Sequence, residues 1–510
     1  MLLATLPSIY AWTILAILVT GMYLFGAKRR RPVFPIVNKY PHDFLNQKAN
    51  RQYIQNASTL ITSGLNKHQS PVTIVIPNGQ KIVLPSSLTG WVKTNKDLDH
   101  KKLVQHDFFA GFPGFDAQDA LQHPNETLIG VIRTKLGQND STMEAMNASL
   151  AKAFRVLWGD GDGQWRIIDW HNDTMGIIAH AASSVFVGPE KADDGEWLEI
   201  VQGYVTAYFT AVGELHGYPS WSRSMVHWFL PNAAACRKYV SRARAIMNDV
   251  LQKRREEVKL AKLQGREGPE YNDALAWIQA ASSGNEHAKT PEPEAGDFQL
   301  ALAMAALFTT TEAFRQVLIH LAAKPDVVEA LRSEVSKQIE QHGISVAATN
   351  NMVLLDSVMK ESQRLSAAVV ALERIAVKDT TLPDGTLIPR GSHITVDSTS
   401  LLDSSSYPNP LAFDAHRFLR KRQAGDKSNQ FVQSGPDYSV FGGGRHICPG
   451  RFFAANEVKL ALAHVLLKYD FRLAEGYESK NIRNGFYTIV DPMAKFEIKR
   501  RKPSLGEVLG

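Results

Sequence analysis

A chain of 510 residues with 57 basic and 51 acidic side chains is long enough for a large core, and too evenly charged to be built around a nucleic-acid backbone, which demands a marked basic excess. Its 44% hydrophobic and 21% charged content, without repeats or low-complexity tracts, is that of one large globular unit. Two cysteines, Cys236 and Cys448, exclude a disulfide framework and a cysteine-built structural zinc site, so special chemistry at either is that of a single thiolate in a reduced compartment.

The first 27 residues hold no Lys, Arg, Asp or Glu, and their apolar run is followed at once by the basic cluster Lys28 to Arg31. About 20 apolar residues at ~1.5 Å each cross a bilayer core, and a basic cluster at the far end keeps that end cytosolic. Residues 1–27 are therefore expected to be an N-terminal transmembrane anchor, residues 28–40 a basic, proline-broken linker, and residues 41–510 the folded domain. A cleaved signal peptide would carry its basic residues ahead of the apolar run. With this topology the sequons at Asn56, Asn125, Asn139, Asn147 and Asn172 never meet a lumen, so they are expected to stay unmodified.

VTIVIPNGQKIVLP reads as a β-hairpin, two β-branched runs around an Asn78-Gly79 turn. From about 125 to 365 the pattern is mainly helical, broken by a polar, proline-bearing loop at 282–297. GDGDGQW, 159–165, alternates acidic residues like a calcium loop, but Trp165 stands where the required glycine belongs, which leaves a solvated turn. DFQLALAMAALFTTTEAFRQVLIHL is apolar around most of its circumference for about four turns, the mark of a buried central helix. In KESQRL, Glu361 and Arg364 are three apart and share a helix face. AVKDTTLPDGTLIPRGSHITV is strand-rich around an Asp384-Gly385 turn, and RFFAANEVKLALAHVLLKY is predicted as an amphipathic helix. The fold class is mainly α with small β-sheets. No HExxH pair, Walker loop or GxSxG elbow is present.

Just ahead of that last helix stands FGGGRHICPG, 441–450. Gly442, Gly443 and Gly444 are expected to let the backbone approach a bulky object, and the helix N-terminus favours a thiolate at Cys448. Such a thiolate is a nucleophile or a metal ligand. A nucleophile needs a base, for which His446 is at hand, and an oxyanion site; three glycines beside Phe441 are better explained by a flat apolar ligand such as an iron porphyrin.

This loop resembles the haem-binding segment of the cytochrome P450 monooxygenases, Phe-x-x-Gly-x-Arg-x-Cys-x-Gly, with Phe441, Gly444, Cys448 and Gly450 in place. His446 stands at the arginine position, where it can still donate a hydrogen bond to a propionate, with a charge that depends on pH. KESQRL resembles the family's Glu-x-x-Arg pair, and Arg417 in FDAHRF its third member, although Ala415 and His416 replace the usual Pro-Glu; Glu361, Arg364 and Arg417 are then a structural network behind the haem. AALFTT resembles the oxygen-side signature of the central helix and maps Ala305, Ala306 and Thr309 onto it. Phe308 replaces the acidic member there, which leaves Thr310, Glu312 or water to assist Thr309 in proton delivery. DFFAGFPGF, the VGPE turn and LLDSVMKESQRL are similar to filamentous-fungal members of the family.

The resemblance implies the cytochrome P450 fold and a haem-thiolate monooxygenase domain behind the anchor, on the cytosolic face of the endoplasmic reticulum membrane. It implies haem b held axially by Cys448 and cradled by Phe441, Gly442, Gly444 and His446, with Arg374 on one propionate. The usual Trp-x-x-x-Arg is missing, and Arg133 or Lys135 is expected to meet the second propionate. Phe112, Phe115, Met304, Ala305, Phe308, Val369, Val370 and Phe486 are expected to line an apolar pocket for a terpenoid, meroterpenoid or indole-type secondary metabolite. Oxygen is the co-substrate. Without a dinucleotide fingerprint in the chain, NADPH and flavins act only through a separate NADPH-cytochrome P450 reductase, steered by a basic face that includes Arg451 and Lys459. A haem-thiolate isomerase or dehydratase, which needs no reductase, and a non-enzymatic haem sensor are the alternatives.

Overall fold

The computed structural model describes residues 33–501, apart from 138, 162, 284–289 and 436, with Thr13 alone before them. The expected anchor and the basic cluster Lys28 to Arg31 lie outside the described residues; among those described, no helix is long and apolar enough to cross a membrane.

After helix Gln47–His68 (α1), the β-branched run Val72–Ile76 (β1) pairs antiparallel with Gly79–Leu84 (β2). The register sets Ile76 opposite Gly79, so the turn residues are Pro77 and Asn78, one position earlier than expected. Proline fixes the first corner of the turn in advance and Gly79 takes φ 123° where the second strand begins. The other strands are short: Leu98–Asp99 (β3), Arg166–Ile167 (β4), Val370–Ala376 (β5), Thr380–Thr381 (β6), Leu387–Ile388 (β7), His393–Asp397 (β8), Tyr469–Leu473 (β9), Ile482–Asn484 (β10), Tyr487–Ile489 (β11) and Phe496–Arg500 (β12). They form a five-stranded sheet ordered β1-β2-β8-β5-β3, a three-stranded sheet β4-β12-β9 and the pairs β6-β7 and β10-β11.

The body is helical, as expected. Its longer helices are Asp140–Leu157 (α2), Trp170–Phe186 (α3), Gly195–His216 (α4), Pro231–Leu263 (α5), Ala295–Leu321 (α6), Pro325–His342 (α7), Val353–Leu365 (α8) and Arg451–Lys468 (α9). The central helix is α6, which packs against α3, α4, α5, α8 and α9. It begins on a capping box in which the Glu294 and Asp297 side chains each accept the other's backbone N–H, worth about 1 kcal/mol. Asp297 also takes Arg244 Nε of α5 at 2.8 Å, which ties the two helices together.

Helix α9 departs from its expected amphipathic character. It is buried on nearly every side, with Glu457, Lys459 and His464 among its inward residues. Two of these polar positions meet buried partners: Lys459 Nζ donates to Asp356 Oδ1 and to the Thr349 carbonyl, both at 2.9 Å, and His464 Nε2 lies 2.9 Å from Asn147 Oδ1.

Candidate active site

A cavity of about 860 Å³ lies between α6, β5, the helix Thr127–Thr134 and the 441–450 loop. The loop is pinned by its own backbone, with Cys448 N–H donating to the Phe441 carbonyl at 2.8 Å, while the Phe441 ring meets Phe431 edge-on at 5.3 Å. Of its three consecutive glycines, Gly442 to Gly444, only Gly442 lines the cavity, joined by Gly450 at the loop's end. A Cβ on Gly443 would run into the Lys93 side chain and one on Gly444 into the Lys93 carbonyl oxygen. The bulky neighbour of those two is thus the helix Thr89–Thr94, and Lys93 Nζ closes the contact by donating to the Gly435 carbonyl at 2.7 Å. Gly444 also sits at φ 62°, where a side chain costs about 1–2 kcal/mol. Gly444→Ala is therefore expected to displace the loop and lower the melting temperature of the haem-loaded protein by several degrees, with a parallel loss of haem per protein by absorbance.

Cys448 ends this loop at the start of α9. Burial raises its thiol above the usual range, and the Gly450 and Arg451 N–H groups pull it down by less. A metal cation at the sulfur would reverse that balance, because the thiolate is the ligand form.

The cavity has one cationic edge. Arg374 is buried, and its guanidinium donates only to backbone carbonyls, Glu373 at 2.7 Å and Gly443 at 3.5 Å. No carboxylate stands within ion-pair distance of it among the described residues, and burial lowers its pKa to about 10. A β-bulge aims it there: the β5-β8 register slips between Ala371 and Arg374, and Leu372 adopts φ 53°, a conformation rare for a branched residue. Beside it Arg445 donates to the Lys96 and Leu98 carbonyls at 3.1 and 2.7 Å, and its Nε lies 2.8 Å from His446 Nε2. Burial, then the Arg374 charge, pushes His446 down to a pKa of about 4. With that value His446 is neutral near pH 7 and accepts from Arg445; the cations of this edge are Arg374 and Arg445, the latter 3.8 Å from Asp99 Oδ2. Arg133 lines the cavity, whereas Lys135 is exposed beyond the end of its helix and does not. A buried cation without an anion, next to apolar walls and a cysteine, fits a flat apolar group bearing carboxylates.

From α6, Ala305, Ala306, Phe308 and Thr309 line the cavity. Thr309 Oγ1 donates to the Ala305 carbonyl at 2.9 Å and approaches that of Ala306 at 3.3 Å, so its proton is directed along the helix and its lone pairs remain for the cavity. Thr310 and Glu312 also reach the lining. Glu312 is fully engaged, however: it accepts from Arg315 at 2.9 Å and from Val490 N–H at 3.0 Å, while Arg315 donates to Thr174 Oγ1 at 2.7 Å. It clamps α6 to α3 and to the segment after β11, and is not placed to release a proton.

The expected pocket residues divide. Ala305, Phe308 and Val370 line the cavity; Phe112, Phe115, Met304, Val369 and Phe486 do not. Met304 is five residues from Thr309 and so falls on the far side of α6, in the main core. Phe115 is wholly buried against Tyr208 and His227, ring centroids 4.9 and 5.4 Å away, and Phe112 packs on Phe109 and His227. Val369 and Phe486 belong to the cluster around Tyr53. Their places are taken by Leu302 and Ile489, with Asn484, Tyr487 and Thr488 of the β10-β11 hairpin also in the lining.

Behind the cavity the structure brings Glu361, Arg364 and Arg417 together. Arg364 Nε and Nη2 donate to the two Glu361 oxygens at 2.8 and 2.9 Å, and Arg417 Nε bridges both at 3.0 and 3.1 Å. The remaining donors reach carbonyls, Arg364 that of Leu401 at 2.6 Å and Arg417 that of Pro408 at 2.8 Å. The expected basic face is not formed by Lys459, which is buried on Asp356; Arg451 is half-buried, donating to the Cys448 carbonyl at 2.8 Å.

Sequence reasoning missed Lys93, His100 and Arg445. Arg445 was readable, since it adjoins His446 in the loop. His100, whose Nδ1 lies 3.0 Å from the Glu373 carbonyl, and Lys93, which meets the loop from the helix Thr89–Thr94, have no local signature.

Residues 177–500 match the family model described as Cytochrome P450. The cytochrome P450 monooxygenase adrA of Penicillium rubens is 33% identical over 500 residues, 95% of either chain. Cytochrome P450 monooxygenase 1 of Gibberella fujikuroi is 34% identical over 440 residues, 86% of this chain and 99% of that one. Among solved structures, retinoic acid bound cyanobacterial CYP120A1 shares the fold, with a TM-score of 0.67 at 17% identity over 92% of this chain and 100% of that one.

Proposed function

Because the chain belongs to the cytochrome P450 family and is a monooxygenase of that family, we propose that it holds haem b through Cys448 and oxidises a hydrophobic secondary metabolite of terpenoid, meroterpenoid or indole type. Oxygen is the co-substrate, and electrons come from NADPH through a separate cytochrome P450 reductase. The observation that carries this reading is the pairing, across one apolar cavity, of the Cys448 thiol with a buried Arg374 that has no carboxylate within ion-pair distance among the described residues.

Haem, when bound, supplies the redox centre at which oxygen is activated. The chain does the rest. Cys448 offers the sulfur, kept in place by its N–H bond to Phe441. Arg374 and Arg445 would meet the carboxylates of the group, with His446 held by Arg445 beside them. The small side chains of Ala305 and Ala306 leave room beside α6, and Phe308, Leu302, Val370 and Ile489 exclude water and hold a hydrocarbon skeleton. Thr309 accepts a hydrogen bond from a group in the cavity, since its own proton is already given to Ala305.

The membrane reading has separate support. Between α4 and α5, the aromatic side chains of Trp221, Trp228 and Phe229 stand exposed with Met225, a patch suited to an interface of headgroups and acyl chains. With residues 1–27 as the anchor, residues 41–510 work as one catalytic domain on the cytosolic face of the endoplasmic reticulum.

Reconstitution with a reductase tests the reading: oxygen uptake and product are expected to depend on NADPH, and turnover without it would mark an isomerase or dehydratase instead. Within that assay Thr309→Val keeps the β-branched shape and deletes the hydroxyl. Haem content and substrate binding are expected to hold, while NADPH consumption continues with product per NADPH down several-fold and peroxide up.

A further inference from the structure

Away from the cavity, one cluster of metal-ligating side chains has no task in the reading above. His106 and Asp107 end the helix His100–Asp107, and His393 opens β8. His106 Nδ1 lies 2.9 Å and His393 Nδ1 3.5 Å from Asp107 Oδ1, and the three atoms all fall within 4.8 Å of one another. None of the three residues lines the cavity.

The cluster joins a buried carboxylate to an open side. Asp107 is buried and His393 nearly so, whereas the His106 side chain is 54% exposed and faces solvent. Burial pushes the Asp107 carboxyl up, and the bonds from His106 and His393 then bring it well below the usual carboxylate range, so it is an anion at neutral pH. Its neighbours hold it in one orientation. Asn78 of the β1-β2 turn donates from Nδ2 to Asp107 Oδ1 at 2.8 Å, and Arg223 Nη1 donates to Asn78 Oδ1 at 3.0 Å, which fixes the amide. His216 Nε2, at the end of α4, donates to the Asp107 carbonyl at 2.8 Å. Lys81, opposite His393 in the β2-β8 register, is ion-paired with Glu373 rather than with Asp107.

Two imidazole nitrogens and one carboxylate oxygen are a ligand set for zinc and the transition ions near it, and outer partners that orient the carboxylate strengthen such a set. Zinc bonds of ~2.0–2.2 Å place tetrahedral ligand atoms about 3.3–3.6 Å apart, so the three atoms need only small side-chain shifts to share one ion. Magnesium and calcium, which take shells of oxygen, match this set poorly.

We propose that His106, Asp107 and His393 bind one divalent ion of the zinc class, with the fourth position left to water on the exposed side. Without the ion, each Nδ1 carries a proton toward Asp107; with it, each neutral ring carries that proton on Nε2 and gives the Nδ1 lone pair to the metal, so no net proton is lost. The ion clamps the end of the helix His100–Asp107 to β8, and through Asn78, Arg223 and His216 the clamp reaches the segment between α4 and α5. Haem plays no part in it.

Zinc retention tests this directly. Tag-free protein is dialysed against low micromolar free zinc, and zinc per chain is measured by elemental analysis. The wild type is expected to hold one zinc more than His106→Gln or His393→Gln, each of which weakens binding about ten-fold or more. Zinc is also expected to raise the melting temperature of the wild type by several degrees and that of neither variant. Asp107→Asn keeps the shape and the bond from Asn78 while removing the charge, and is expected to lose the same ion. His106 is exposed enough that its replacement leaves the circular dichroism spectrum unchanged, so loss of zinc there reports ligation even where the two buried variants fail to fold. A wild type that retains no zinc, a His106→Gln variant that retains as much as the wild type, or equal retention of magnesium would overturn the proposal.

Discussion

Cys448→Ser is expected to abolish the cysteinate-type absorption of the reduced, carbon-monoxide-treated protein and all NADPH-dependent product formation, while Cys236→Ala is expected to leave both in place. The contrast follows from where the two sulfurs sit. Cys448 ends a loop whose backbone presents it to the cavity between Phe441 and Gly450. Cys236 is wholly buried in α5, in the main core, where burial pushes its thiol up to about 12 and leaves it inert. A serine hydroxyl is a far poorer anion than a thiolate, so the loss is of ligation and not of packing. Alanine at 236 removes one sulfur from the core, at a cost of about 1–2 kcal/mol that the fold can absorb. Retention of the cysteinate band in Cys448→Ser would refute the haem assignment.

The second large effect lies away from the cavity. Glu361 and Arg364 are wholly buried and Arg417 nearly so, and the one carboxylate answers both guanidinium groups. Removing Glu361 leaves two guanidinium charges stranded in the interior, about 3–5 kcal/mol or more, whereas removing either arginine leaves Glu361 paired with the other and costs the lost charge-assisted hydrogen bonds, about 1.5–3 kcal/mol, against a total stability for a protein domain of about 5–15 kcal/mol. Glu361→Ala, which strands two cations at once, is expected to be the most damaging, with most of the protein insoluble and the remainder depleted of haem. Arg364→Ala and Arg417→Ala follow. Soluble yield, haem-to-protein ratio and chemical denaturation read the outcome; normal haem content in all three variants would show that the network is dispensable.

What the sequence made legible, and what it hid, divides along the length scale of the interactions. The β1-β2 hairpin, the central helix α6 and the Glu361-Arg364 pair depend on spacings of two to four residues, so their patterns are visible locally, and even there the turn slipped to Pro77-Asn78 because proline outranked Asn-Gly. The third network member, Arg417, and the loop around Cys448 were reached by family resemblance rather than spacing. The pocket was half hidden: on helices buried on every side, hydrophobicity does not tell which apolar residue faces a cavity, so Ala305 and Phe308 line it while Met304 does not. Buried polar residues misled in the same way. Lys459 read as part of a basic face, yet it points inward to Asp356. The lowered pKa of His446 comes first from burial and then from the charge of Arg374 on β5, and no local pattern carries that information.

The seat of the Cys448 loop on Lys93 has a consequence for how the protein is made. Lys93 Nζ bonds Gly435 across 342 residues of chain, and Gly443 and Gly444 rest on the same helix. Closing a loop of that length costs on the order of 5 kcal/mol in chain entropy before any contact offsets it. During synthesis the helix Thr89–Thr94 leaves the ribosome long before the segment that must land on it, and the intervening helices have to assemble first to bring the two ends together. Capture of the cofactor is therefore a late event that waits on the assembly of almost the whole chain, so haem loading reports the completeness of folding across residues far from the iron.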